Sequence, residues 1–181
     1  MMCYGARDLA RSFLTVRRNT IQIAEEIPES KLDFSPAPGT RTIRQLLTHI
    51  AMGDTFATII HREKRSFQQI NFTELAGQMM AEEQKPRSKA ELIALLKERG
   101  HAFGAWLETL SEDFLGEALP QPPGAEPPAK TRHEMLMGVK EHEMHHRGQL
   151  MLIERMLGIV PHLTRQMQER FAARAAEQQR A

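Results

Sequence analysis

Cysteine, tyrosine and tryptophan each occur once in this 181-residue chain, and 24 Lys plus Arg against 23 Asp plus Glu leave a formal charge of only +1. Each scarcity excludes something. A single thiol, Cys3, cannot build an intramolecular disulfide framework, which agrees with a reducing cytosol. Its place beside the N-terminus favours structural indifference over reactivity. Basic residues that are few in excess and scattered rather than striped give no concentrated positive surface for phosphate, which argues against a nucleic-acid partner. No apolar run approaches bilayer length, and the opening MMCYGARDLARSF lacks the unbroken apolar core of a signal peptide. A soluble cytoplasmic protein with no membrane partner is the expectation. There is no internal repeat and no low-complexity tract. The length suits one domain over residues 1–181, large enough to close a core without staples.

What the chain has instead is helix-forming sequence with eleven methionines as adaptable core filler. Leu9, Phe13, Val16, Ile23, Ala24 and Ile27 recur at helical spacing and mark a first amphipathic helix from about Asp8, stopped by Pro28. The Pro/Gly/Ser-rich ESKLDFSPAPGTR then reads as a loop. Thr42 and Gln45 form a capping-box pattern that opens a second helix, with Ile43, Leu46, Leu47, Ile50, Gly53, Ala57 and Ile60 as its buried face. A short helix from Phe72 to about Glu83 follows, and Pro86 resets the chain. Ser88 and Glu91 repeat the capping box before a third long stripe, Leu92 to Leu110, within which Arg99 can reach a carboxylate or snorkel to solvent. Five prolines between Gly116 and Lys130 exclude helix there and predict an extended crossover or flap with no strand. Thr131 and Glu134 open a fourth long helix. Gly158 should end it in the left-handed conformation, and Pro161 prevents continuation. The segment from Leu163 onward favours helix with a thin apolar row. Four long helices, a short extra one and a C-terminal one add up to an all-α four-helix bundle.

Chemistry concentrates in HEMHHRGQ, residues 142–149. At about 100° per residue, Met135, Val139, His142, His146, Leu150, Ile153 and Leu157 fall in one arc with two imidazoles at its centre. An apolar interior does not accept two unpartnered imidazoles side by side, so a divalent metal is the economical occupant. His49, on the flank of the second helix, is the candidate third ligand. Zinc is the first choice of metal, and nickel or another transition metal also suits imidazole. Three neutral nitrogens leave coordination positions open and the full double charge available to polarise a bound water or thiol. His145 turns about 100° from His146 and is set aside. His61, His101, His133 and His162 have no partner at ligand spacing. Glu143 and Gln149 are candidates for orienting an imidazole or a bound group, and Glu141 is a weaker one. Gly53, one turn past His49, leaves room either for a substrate or for close helix packing.

IPESKLDFSPAPGTRTIRQLLTHIA (27–51) together with HEMHHRGQLMLIERMLGIVP (142–161) resembles the DinB/YfiT-like metalloenzymes in order and spacing. The resemblance implies a four-helix bundle, often homodimeric, with a divalent metal on three histidines that fall at His49, His142 and His146. It also implies a small-molecule substrate. Some relatives are thiol S-transferases or isomerases that use a low-molecular-weight thiol such as bacillithiol or mycothiol, so a small thiol is the expected cosubstrate. Metal-assisted hydrolysis and a non-catalytic binding dimer are the alternative readings.

Overall fold

The computed structural model describes residues 4–64 and 67–180, so Cys3 lies outside the described residues. Helices dominate. In chain order they are α1 (Ala6–Glu26), α2 (Ile43–Ala51), α3 (Thr55–Thr58), a π-helical stretch (Ile59–Lys64), α4 (Phe72–Glu83), α5 (Lys89–Glu108), α6 (Glu112–Gly116), α7 (Arg132–Met156) and α8 (His162–Gln178). Helix α1 packs against α5 and α7, and α2 against the same two, which makes the four-helix bundle expected from the apolar stripes. Thr42, Ser88 and Thr131 each accept from the backbone N–H three residues on, while Gln45, Glu91 and Glu134 reach back to the cap. The capping boxes therefore start α2, α5 and α7 where the sequence placed them. Helix α7 ends in a Schellman arrangement. Gly158 has φ +80°, its N–H reaches Arg155 O, and the Ile159 N–H reaches Glu154 O.

Two expectations are corrected. The proline-rich connection is not strandless: β1 (Ala118–Pro120) and β2 (Ala129–Thr131) pair antiparallel, with Leu119 opposite Lys130. Strands of three residues carry no detectable period. The second helix does not run on to Ile60 but stops at Ala51 and resumes at Thr55. Two arginines meet the break. Arg99 Nε donates to Ala51 O at 3.0 Å, a carbonyl left without an intrahelical partner at the helix end, and Arg17 Nη2 adds a 3.3 Å contact to Ile50 O, which also accepts from the Gly53 N–H at 3.1 Å. Arg99 also holds Asp54 Oδ1 at 2.9 Å and Thr55 Oγ1 at 2.9 Å, fixing the start of α3.

The apolar interior comes in two parts. One gathers Ile23, Ile27, Ile43, Leu47, Leu92, Leu96, Leu150 and Ile153; the other gathers Leu9, Phe13, Ala57, Phe103, Leu107, Leu136 and Val139. Between them three helices carry polar or small residues: Arg17 and Thr20 on α1, Gly100 on α5, and His142, Glu143 and His146 on α7. Arg17 is the centre of this layer. Its Nε lies 3.0 Å from Glu143 Oε1, its Nη1 donates to Leu96 O at 2.9 Å, and both charged side chains are buried. A Cβ on Gly100 would sit 2.7 Å from Arg17 Cγ, so glycine makes the room the guanidinium stem occupies. The layer joins α1, α2, α5 and α7 at one level of the bundle, the level of the histidines.

Candidate metal centre

His49 stands in the last turn of α2, and His142 and His146 are one turn apart on α7. Their rings converge through the same atom. His142 Nε2 is 3.0 Å from His49 Nε2 and 3.2 Å from His146 Nε2, and the three ligand atoms all lie within 4.8 Å of one another. Two nitrogens bound to one ion at about 2.0–2.1 Å are about 2.9–3.4 Å apart for angles between octahedral and tetrahedral. Both spacings from His142 Nε2 fall in that range. Among the described residues this is the group of three or more His, Cys, Asp or Glu side chains with ligand spacing.

The hydrogen bonds on the other ring nitrogens set the tautomers. Glu83 Oε1 lies 2.7 Å from His49 Nδ1, and a carboxylate can only accept, so Nδ1 donates and Nε2 carries a lone pair. Gln149 Oε1 lies 2.8 Å from His146 Nδ1 and imposes the same arrangement there. Two lone pairs thus face His142 Nε2, which can offer one proton at most. A cation in the middle turns that repulsion into three bonds, so the donor set fits a divalent metal. His142 Nδ1 has no hydrogen-bond partner, and its ring is held sterically instead. A Cβ on Gly53 would come within 3.0 Å of it, which settles Gly53 as a packing residue against the ring rather than open space.

All three imidazoles are biased toward the neutral form that metal binding needs. Burial is the main cause in each case. It takes His142 down to about 4, aided by the neighbouring His146 and His49. It lowers His49 against the opposing hydrogen bond to Glu83, and lowers His146 against the opposing bond to Gln149.

Of the residues named from the sequence, Gln149 reaches His146, and His145 is exposed, its ring edge-on to that of His146 at 4.9 Å between centroids and its Nε2 3.3 Å from Gln149 Nε2. Glu143 does not orient an imidazole. Its carboxylate is turned to Arg17, 2.9 Å from Nη2, one step around α7 from the ring it was expected to serve. Glu141 is exposed. His61 is buried with Nδ1 3.1 Å from Arg132 Nη1, away from the cluster. The residue missed was Glu83, the single buried residue of α4. The short helix was legible, but a mostly polar twelve-residue segment gives no signal for which face meets the bundle. Arg41 shares that carboxylate, with Nε 2.7 Å from Glu83 Oε2.

A cleft of about 630 Å³ opens beside His146, between the loop before α2, the end of α4 and the outer side of α7. Leu46, Met80, Leu152 and Ile153 give it apolar walls, and Arg41, Gln45 and Gln149 bring polar groups to it. That size suits a small-molecule ligand.

The DinB family model matches residues 2–180, so the chain belongs to the DinB family. Solved structures repeat the fold. A DinB-like protein, YjoA, from Bacillus subtilis is 24% identical with a TM-score of 0.61, over 83% of this chain and 92% of that one. YfiT from Bacillus subtilis, described as a probable metal-dependent hydrolase with an unusual four-helix bundle topology, is 19% identical with a TM-score of 0.65, over 85% and 88%. An uncharacterized protein from Clostridium difficile 630 is 13% identical with a TM-score of 0.68, over 86% and 98%. No curated protein matches the chain.

Proposed function

We propose that this DinB-family chain is a divalent-metal-dependent enzyme that activates a small thiol at His49, His142 and His146 and transfers it to an electrophile held in the adjoining cleft. The observation that carries the reading is the convergence of three Nε2 atoms, two of them fixed in the ligating tautomer by Glu83 and Gln149. A divalent cation held by these imidazoles, zinc or nickel for instance, would supply a charge that makes a bound thiol or water far more acidic than in solution. Glu83 and Gln149 keep the Nδ1 protons in place, and the apolar walls of the cleft shield the reacting groups from bulk water.

Thiol transfer is favoured over hydrolysis by what the cleft offers as a base. The Glu83 carboxylate is engaged by both His49 and Arg41, and that of Glu143 by Arg17. Neither is free to take a proton from water. A thiol, with an ordinary pKa of about 8.5, needs far less help to ionise. Hydrolysis is the second reading, supported by the likeness to YfiT, described as a probable metal-dependent hydrolase, and by Gln149, whose amide could position a water. A homodimer in a thiol-rich cytoplasm belongs to the same proposal, and light scattering checks the assembly state.

The test is turnover of a fluorogenic alkylating electrophile by zinc-loaded and nickel-loaded protein with cysteine, glutathione, bacillithiol and mycothiol. Turnover that needs both metal and thiol and disappears in His142→Ala is the expected result. Thiol-independent turnover of ester or amide substrates decides for hydrolysis. Tight binding without turnover decides for a non-catalytic binding protein, and full transferase activity in metal-free protein refutes the proposal.

A further inference from the structure

Among the described residues, Arg41 is the one cationic side chain on the wall of the cleft. It is held in place rather than free to sweep the surface. Nε and Nη2 both reach Glu83, at 2.7 and 3.2 Å, so one edge of the guanidinium is occupied by a carboxylate that is itself fixed by His49. That leaves the outer edge, formed by Nη1 and the second N–H of Nη2. No described residue accepts from Nη1, and the side chain is 41% exposed. Two parallel N–H groups on a rigid plane match the two oxygens of a carboxylate. The rest of the cleft is unlike a polar anion site: Leu46, Met80, Leu152 and Ile153 line it, with Pro36 at the loop side.

We infer that Arg41 is the specificity-determining residue of the cleft and selects small molecules that carry a carboxylate on an apolar body. The inference rests on the cleft being the substrate site of the proposed enzyme. The carboxylate docks on the outer guanidinium edge, and the apolar body lies along Met80, Leu152 and Ile153. His146 borders the same cleft, so a ligand held there lies beside the histidine cluster. Glu83 has two tasks in this arrangement, since one oxygen orients His49 and the other holds the receptor arginine.

Hexanoate and its neutral counterpart hexanamide are suitable probes. Binding is read in chelator-treated full-length protein from the methyl resonance of 13C-labelled Met80, assigned by its loss in Met80→Leu. Hexanoate should shift that resonance saturably and bind at least about tenfold more tightly than hexanamide, as a charge-assisted bond allows. Arg41→Met should remove that preference while leaving hexanamide affinity within about twofold, and Arg41→Lys should retain part of it. The inference is overturned if the two probes bind alike, if neither saturates, or if the preference survives Arg41→Met. A preference seen only after zinc loading and unaffected by Arg41→Met assigns anion recognition to the metal and also overturns it. Metal content is measured on the same samples. A chain that takes up no metal yet prefers hexanoate through Arg41 refutes the proposed chemistry and leaves this inference standing.

Discussion

Removing the Glu83 carboxylate should weaken metal binding without touching a ligand. Glu83 is 7% exposed, its Oε1 is 2.7 Å from His49 Nδ1, and it is the only group holding that nitrogen's proton. In Glu83→Ala the His49 ring loses both its preferred tautomer and its orientation, and the uncompensated Arg41 guanidinium is left near the incoming cation. Loss of such an outer partner typically costs 10–100-fold in metal affinity, or about 1.4–2.7 kcal/mol. Glu83→Gln keeps an oxygen that can accept from Nδ1 but loses the charge that binds Arg41, so its loss should be smaller. The assay is competition for zinc with a chromophoric chelator at pH 7.5. Circular dichroism and a melting curve check that α4 stays in place. The reasoning fails if Glu83→Ala binds zinc within about twofold of wild type while His49→Ala binds none, because His49 would then need no orienting partner.

Burial lowers all three imidazoles, His142 to about 4, so zinc should stay bound as the pH drops through 6.5, where an ordinary imidazole protonates. Complete release by pH 6, followed by chelator colour, would contradict this. The metal-free chain should lose stability over the same window. His142 and His61 both have folded pKa values near 4, so below 6.5 the unfolded state binds more protons; a Tm series from pH 7 to 4 reads the decline. Glu154 works in the opposite direction. Fully buried with both oxygens unpartnered, it is pushed up to about 7, chiefly by burial and then by Glu26. Its contribution is present below 4.5 and is lost as the pH rises through 7, so Glu154→Gln should raise Tm at pH 8 and leave it unchanged at pH 4. Arg17→Met alone should destabilise by about 3–5 kcal/mol in urea denaturation, because it strands the buried Glu143 carboxylate. Arg17→Met with Glu143→Leu should recover much of that.

The sequence made the inward His142 and His146 pair legible because α7 is a single uninterrupted helix, where spacing translates directly into direction. Met135 to Leu157 keeps one phase, and its capping box and glycine exit were both readable. His49 was legible for a less secure reason. The apolar row Ile50, Gly53, Ala57 and Ile60 keeps helical spacing across a break that the row itself does not reveal. The break is supported by Arg99, which lies in another helix and meets the freed Ala51 carbonyl only after folding. Glu143 was misread for a related reason. A buried face wide enough to hold His142 also holds its neighbour, and periodicity cannot tell which of two adjacent inward residues meets an imidazole and which meets Arg17. Glu83 and Arg41 lay out of reach because both act across elements, from a short helix and from a loop residue just ahead of α2. The division of the core into two apolar parts with a polar layer between them was written in α1, α5 and α7. It becomes visible only when their registers are known relative to one another.

Metal content is the direct measurement. Wild-type protein purified without chelator and analysed by inductively coupled plasma mass spectrometry should carry one divalent transition metal per chain, and His49→Ala should carry none while keeping its helical circular dichroism. Wild type that holds no metal, and that neither binds nor is stabilised by added zinc, nickel, cobalt or copper, would contradict a metal centre at His49, His142 and His146.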